Sequence, residues 1–198
     1  MSEPQWVPPT QSQMRAADAY VDIIIREFRT EDKGVHSETA IAAAGRMAGT
    51  FLFRSFNLPL KDLEPGEYVL SHEANVHAPF LIQTLGTRLD ALGVNLDQSR
   101  LGQGLPDPNL PQVSVTETQA RIEKQFRDES AKHRLTAAQS AHACALAAAR
   151  LIQMTGGVLD PHTGFSLAVF GFVEGSKTVP IPVDDRAATG RPWYRFWE

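Results

Sequence analysis

The sequence predicts a mainly α protein. It reads as one domain, a bundle of about five helices around a buried alanine-rich helix, with a small β-hairpin near the C-terminus. Three observations carry this expectation. Thr136 to Met154, TAAQSAHACALAAARLIQM, is alanine or a larger apolar side chain over most of its helical girth, as in helices packed on several sides. Met14, Ala17, Val21, Ile24 and Phe28 recur at helical spacing, and Phe80, Leu81, Thr84, Leu85, Arg88, Leu89 and Leu92 form a second such row. Ala40, Ala44 and Ala48 repeat every four residues beside Gly45 and Gly49, a spacing that lets another backbone come close.

In chain order, residues 1–11 are punctuated by proline and read as extended, with Trp6 as their anchor. A helix starts at Ser12 and ends at the TEDKG segment, Thr30 to Gly34, with Asp22 four residues before Arg26 on its outer side. Ser37 is positioned to cap the next helix, 38–56. Its small-residue row matches Ala141, Ala145 and Ala149, so these two helices are expected to touch along their alanine seams. Asn57 to Gly66 is a loop around Pro59 and Glu64-Pro65-Gly66, and Glu67 to Val76 fits either a short strand or a helical turn. Pro79 favours a boundary, after which the row from Phe80 to Leu92 is helical and Gly93 closes it.

Residues 94–113 lack periodicity and form a long loop, either a strap across the bundle or a joint. Thr116 and Gln119 have the form of a capping box, opening a charged helix to Arg134 in which Glu117/Arg121, Glu123/Arg127 and Asp128/Lys132 stand four apart. Thr136 and Gln139 form a second box that starts the alanine-rich helix, and Gly156-Gly157 stops it. Asp160-Pro161-His162-Thr163-Gly164 fits a tight turn between strands, or Asp160 capping a helix with Pro161 in its first turn. The strand reading is the expectation, with Phe165 to Val173 paired to a proline-bearing edge at Lys177 to Val183. The chain thus divides into an extended segment 1–11, a helical domain 12–175 and an extended segment 176–198.

At 198 residues a single domain buries roughly 70 % of its unfolded surface and needs no disulfide or metal to hold it. Neither half is basic: 8 Lys/Arg face 12 Asp/Glu before Val94 and 11 face 11 after it. That balance argues against nucleic acid and anionic membranes as partners. The single cysteine, Cys144, excludes an internal disulfide and sits among alanines, where a thiol behaves as a small hydrophobe. MSEPQWVPPT lacks the basic start and apolar run of a secretory signal, and no apolar run is long enough for a bilayer, so the cytoplasm is the expected compartment.

The motifs of known chemistry fail on spacing. His72 and His77 are five apart, not the four that aim two imidazoles at one zinc. Gly164-Phe165-Ser166-Leu167-Ala168 half-resembles a nucleophile elbow, but no histidine follows it. His36-Ser37-Glu38 has no later cysteine pair, and Gly102-Gln103-Gly104 neither follows a strand nor opens a helix. No catalytic residue, cofactor or metal is therefore expected.

Two polar rows and the tail remain. Thr39, Arg46, Thr50 and Arg54 line one helix; Gln139, His142, Arg150 and Gln153 line the other. Were both rows to open into one cleft, Arg46, Arg54, His142 and Arg150 would converge on a small anionic ligand. Trp193, Tyr194, Phe196 and Trp197 crowd the tail, where aromatics and arginine favour docking on another chain. The leading expectation is a cytoplasmic binding or regulatory protein that associates with itself or another protein through this tail. The alternative is a small-molecule binder or enzyme that uses this cleft for an anionic ligand.

Overall fold

Six α-helices follow one another among the described residues of the computed structural model, which are 5–32, 34–101 and 110–183. They are α1 (Gln11–Glu27), α2 (Ser37–Ser55), α3 (His72–Ala91), α4 (Val115–Lys132), α5 (Ala137–Thr155) and α6 (Pro161–Lys177), with a 3₁₀ turn at Gln98–Arg100 between α3 and α4. Side chains that take up the first free amides set most of the starts. Thr10 with Gln13, Ser114 with Glu117 and Thr136 with Gln139 form reciprocal capping boxes at α1, α4 and α5. The α4 box thus lies two residues before the pair the sequence suggested. At α2 the cap is His36, whose Nδ1 accepts the Thr39 N–H, and not Ser37.

α3 starts earlier than expected. Ser71 caps it by accepting the Ala74 N–H, and Pro79 lies inside the helix with its ring exposed. The ambiguous segment therefore divides, its second half being helical.

The β-hairpin is not formed: Phe165 to Val173 lies within α6. Asp160 accepts the His162 N–H and Pro161 occupies the first turn, so the helical alternative at this junction holds. The segment expected as an edge strand does pair, but elsewhere. Val179 donates to the Glu67 carbonyl at 2.8 Å and Val69 to that of Lys177 at 2.7 Å, a short antiparallel contact beside the end of α6.

The bundle has two inner helices. α5 is buried as the sequence indicates and packs on α1, α2, α3 and α6. α2 is enclosed still further, with every residue from Thr39 to Phe53 buried. The two touch, and both alanine rows are buried. Yet the closest approach of α2 is to α6, through glycine. A Cβ on Gly45 would lie 2.5 Å from the Ala168 carbonyl oxygen, and one on Gly49 2.5 Å from that of Phe172. From the other side, one on Gly171 would lie 2.7 Å from the Ala42 carbonyl oxygen, and one on Gly175 would overlap that of Arg46. Four side-chain-free positions bring the two backbones into contact. No helix among the described residues is long and apolar enough to cross a membrane.

Candidate functional site

The polar row of α2 holds two passing segments of chain in place. The Arg46 guanidinium, 4 % exposed, meets Glu174 of α6 at 2.7 Å and donates to the Val113 carbonyl. Beside it the Thr39 hydroxyl accepts the Gln112 N–H at 3.1 Å. One turn on, Thr50 accepts from the Gln119 side-chain amide, whose oxygen accepts the Ile181 N–H. Arg54 meets Glu123 of α4 at 2.5 Å and donates to the Ile181 carbonyl at 2.8 Å. The strap 110–113 and the C-terminal segment around Ile181 are thereby fastened to α2. Both guanidiniums face carboxylates, which removes most of their attraction for a free anion.

The α5 row faces the other way, toward α3. Arg150 is exposed and donates to Gln153, which in turn donates to the Leu92 carbonyl. His142 is half-buried against Thr84, Nδ1 to Oγ1 at 2.8 Å. Among the described residues no partner is common to the two rows, and His142 and Arg54 line different hollows, so Arg46, Arg54, His142 and Arg150 are not brought together. The tail residues Trp193, Tyr194, Phe196 and Trp197 lie outside the described residues.

Thr84 is the hinge point of a small hydrogen-bond cluster. Its Oγ1 also lies 2.9 Å from the Phe80 carbonyl oxygen and 3.0 Å from the indole Nε1 of Trp6. A hydroxyl has one proton and two lone pairs. If the proton goes to the carbonyl, both lone pairs are filled, one by the Trp6 N–H and the other by a proton on His142 Nδ1. That arrangement satisfies every group and fixes the imidazole as its Nδ1–H tautomer. Nε2 then carries a bare lone pair and has no protein partner among the described residues.

These groups border a hollow of about 340 Å³ between the segment before α1 and helices α1, α3 and α5. Its walls include Trp6, Gln13, His77, Phe80, Gln139 and His142. None of the lining residues is Asp, Glu, Lys or Arg. Gln13 is held by donating to the Gln139 carbonyl at 3.1 Å, while its oxygen caps Thr10 at 2.8 Å. The His77 ring packs between Phe56 and Phe80. Burial, and after it the nearness of His77, lowers the pKa of His142 from its ordinary value of 6.5. The described lining thus holds no fixed charge, and burial disfavours the charged form of His142.

No family model, no curated protein and no solved structure matches this chain. The case for a site rests on chemistry alone.

A second hollow, of about 290 Å³, opens between α2, α4 and the start of α5, lined by Arg54, Arg127, Ser130 and Ser140 with Phe51 and Leu135. Its hydroxyls are engaged internally: Ser130 meets the Tyr20 phenol at 2.6 Å and Ser140 at 2.8 Å. Burial pushes the Tyr20 phenol well above its ordinary range, which keeps it protonated. With Glu123 against Arg54, this hollow is a weaker anion site than its arginines suggest.

The remaining motifs resolve into structure. His72 and Glu73 are exposed on α3 while His77 turns inward, so they form no metal set, and no cluster of three or more ligating groups occurs among the described residues. Ser166 lies mid-helix in α6, where a nucleophile elbow cannot form. Cys144 is fully buried, and burial pushes its thiol well above the ordinary value. Sequence reading found His142 and named Trp6 as an anchor, but it missed Gln13, His77 and Thr84 as neighbours. Thr84 sits in a row of α3 that is apolar but for Arg88, and its buried hydroxyl is the signal that asks for a partner.

Proposed function

We propose that this protein binds a small molecule in the hollow formed by Trp6, Gln13, His77, Phe80, Gln139 and His142. The observation that carries the reading is His142. Its ring is oriented by Thr84, yet its second nitrogen has no protein partner among the described residues, in a hollow lined by aromatic side chains. Ligand pockets combine such apolar walls with a few positioned polar groups, and about 340 Å³ falls at the small end of their range. The absence of formal charge moves the expected ligand away from phosphates and polyanions.

A thermal-shift series with small aromatic compounds tests this. The melting temperature rises with ligand concentration by mass action, by about 2.7 kcal/mol of stability at a hundred times Kd. Trp6→Ala and His142→Ala each abolish the rise. A flat response across neutral and acidic aromatic compounds, or a rise that both variants keep, rejects the pocket.

A second reading keeps the aromatic tail, whose composition favours association with a second copy or another protein. Apolar surface is also presented by Tyr68, Leu70, Phe170 and Val173, which are exposed. Sedimentation of the full chain beside one ending before Arg191 is the test. An unchanged mass removes tail-mediated association.

A further inference from the structure

We propose that the hollow is a proton-coupled site for a small aromatic carboxylate, which enters as the anion while His142 takes up one proton at Nε2. The proposal rests on the binding reading above and assigns its ligand class and its regulation.

An aromatic carboxylate matches the shape of the lining. Trp6 and Phe80 offer flat apolar surfaces to a ring, and Gln13 and Gln139 add polar rims. Its charge is the difficulty, because a carboxylate taken from water without a counter-charge is strongly disfavoured. The charged residues of the surrounding elements do not line the hollow. Arg15 and Asp18 on α1, His72, Glu73 and Arg88 on α3, and Arg150 on α5 all lie outside its walls, and residues 5–10 contain no charged side chain. Among the described lining residues, only His77 and His142 can carry a positive charge.

His142 is built to accept that proton without losing a contact. With Thr84 donating to the Phe80 carbonyl, its oxygen accepts from His142 Nδ1–H whether the ring is neutral or charged. A proton added from solvent at Nε2 creates a new donor aimed at the ligand and breaks nothing. The balance is simple: the neutral imidazole, one solvent proton and the carboxylate anion give an imidazolium–carboxylate hydrogen-bonded pair, with no covalent change. Such charge-assisted pairs are about twice as strong as neutral hydrogen bonds. Before the ligand arrives, burial and then the nearness of His77 disfavour the charged ring, and the bound anion reverses that balance by drawing a proton to it.

Titration calorimetry of the full chain with benzoate and with its uncharged isostere benzamide, at about pH 6, 7 and 8, reads the coupling. Benzoate stays ionised across this range, so any dependence on pH belongs to the protein. The expected result is a benzoate Kd that tightens by up to about tenfold per pH unit as pH falls, as for one linked proton. The apparent enthalpy should vary with the ionisation enthalpy of the buffer by close to one proton per site. Benzamide should bind with little pH dependence. His142→Gln, which keeps polarity but cannot be protonated, should flatten the benzoate profile.

Benzamide binding that exceeds benzoate binding at every pH, or benzoate binding without proton uptake, overturns the coupling and leaves the pocket standing. A benzoate slope that survives His142→Gln overturns the assignment to His142. Failure of both ligands to bind overturns the pocket and the coupling together. The wild-type comparison of the two ligands does not depend on the variant folding.

Discussion

His142 and His162 each use Nδ1 for a side-chain contact, and they differ in what meets Nε2. At His162 the Nε2 accepts the backbone N–H of Asp97 at 2.8 Å, so the proton sits on Nδ1 and points to Asp160 at 2.8 Å. His162 ties the segment after α3 to the start of α6. Asp160 is the centre of that junction. A hydrogen bond from Arg100 at 2.6 Å, then the His162 amide, then the His162 ring, hold its carboxyl well below the usual carboxylate range. Asp160→Ala removes a helix cap and a surface ion pair, and should lower stability at pH 7 by about 1–2 kcal/mol in urea unfolding. The sign of the pH dependence follows from the depressed folded pKa. The carboxylate's contribution is complete above the ordinary value of 3.8 and is lost as pH falls toward the folded value. The gap between wild type and variant should thus narrow below about pH 4. A gap that stayed constant down to pH 2 would mean that charge at Asp160 contributes nothing.

Between elements, the α2–α6 contact makes a prediction that helix propensity alone would get backwards. Glycine inside a helix is disfavoured by about 1 kcal/mol relative to alanine, so Gly→Ala is stabilising where space exists. Gly86 of α3 has open space around its missing Cβ, and Gly86→Ala should raise stability by about 0.5–1 kcal/mol. At Gly49 the same change drives a methyl into the Phe172 carbonyl and the Ser176 amide, each 2.5 Å away. The two backbones must separate, and Gly49→Ala should cost about 1–3 kcal/mol or more. Equal effects at the two positions, measured by chemical denaturation, would show that the helices are not in backbone contact. A second test concerns the ion pair between the same helices. Removing Glu174 leaves the Arg46 guanidinium buried with a carbonyl as its main partner, so Glu174→Ala should cost about 3 kcal/mol. Arg46→Met with Glu174→Leu should recover much of that loss, since an apolar pair leaves no charge stranded.

The sequence showed that Gly45 and Gly49 permit close packing but not which helix would use them. The answer lay in Gly171 and Gly175, which repeat the four-residue spacing on α6. A uniformly apolar run hides a helical period, so 165–173 read as readily as a strand, and the glycine spacing went unused. Asp160-Pro161 was the better local signal, because a cap followed by a first-turn proline starts a helix from within the chain. The burial of α5 was legible because alanine and larger apolar side chains cover most of its girth and leave only one narrow polar row. The destination of the two polar rows was not. Arg46 and Arg54 find Glu174 and Glu123 on helices far along the chain, and no local periodicity encodes that pairing. His142 was visible as an isolated polar group, but the residues that make it a site come from α3 and from the segment before α1.

For the molecule as a whole, the central question is whether the bundle opens in parts or at once, and Cys144 can report it. The cysteine lies on α5, fully buried, in one apolar core that draws on α1 to α6 without a break. Its thiol is held in the neutral form by burial, so the reactive thiolate is scarce as well as inaccessible. A thiol reagent should therefore fail to label the folded protein on the timescale that labels an exposed cysteine. Labelling should proceed only through opening events that unpack α5 from its neighbours. Because those neighbours form one core, the opening should be global. Its free energy from labelling rates should match equilibrium unfolding, and its denaturant dependence should equal the full m-value. Gly49→Ala should accelerate labelling in proportion to its loss of stability although the backbone it displaces is that of α6, whereas Asp160→Ala should do so by less. Ligand binding in the hollow, whose wall includes residues of α1, α3 and α5, should slow labelling by the same free energy it adds to the folded state. Fast labelling with a shallow denaturant slope would reveal a local path to α5. The two inner helices would then be separable units, and the hollow beside His142 would be the first place to look for the opening.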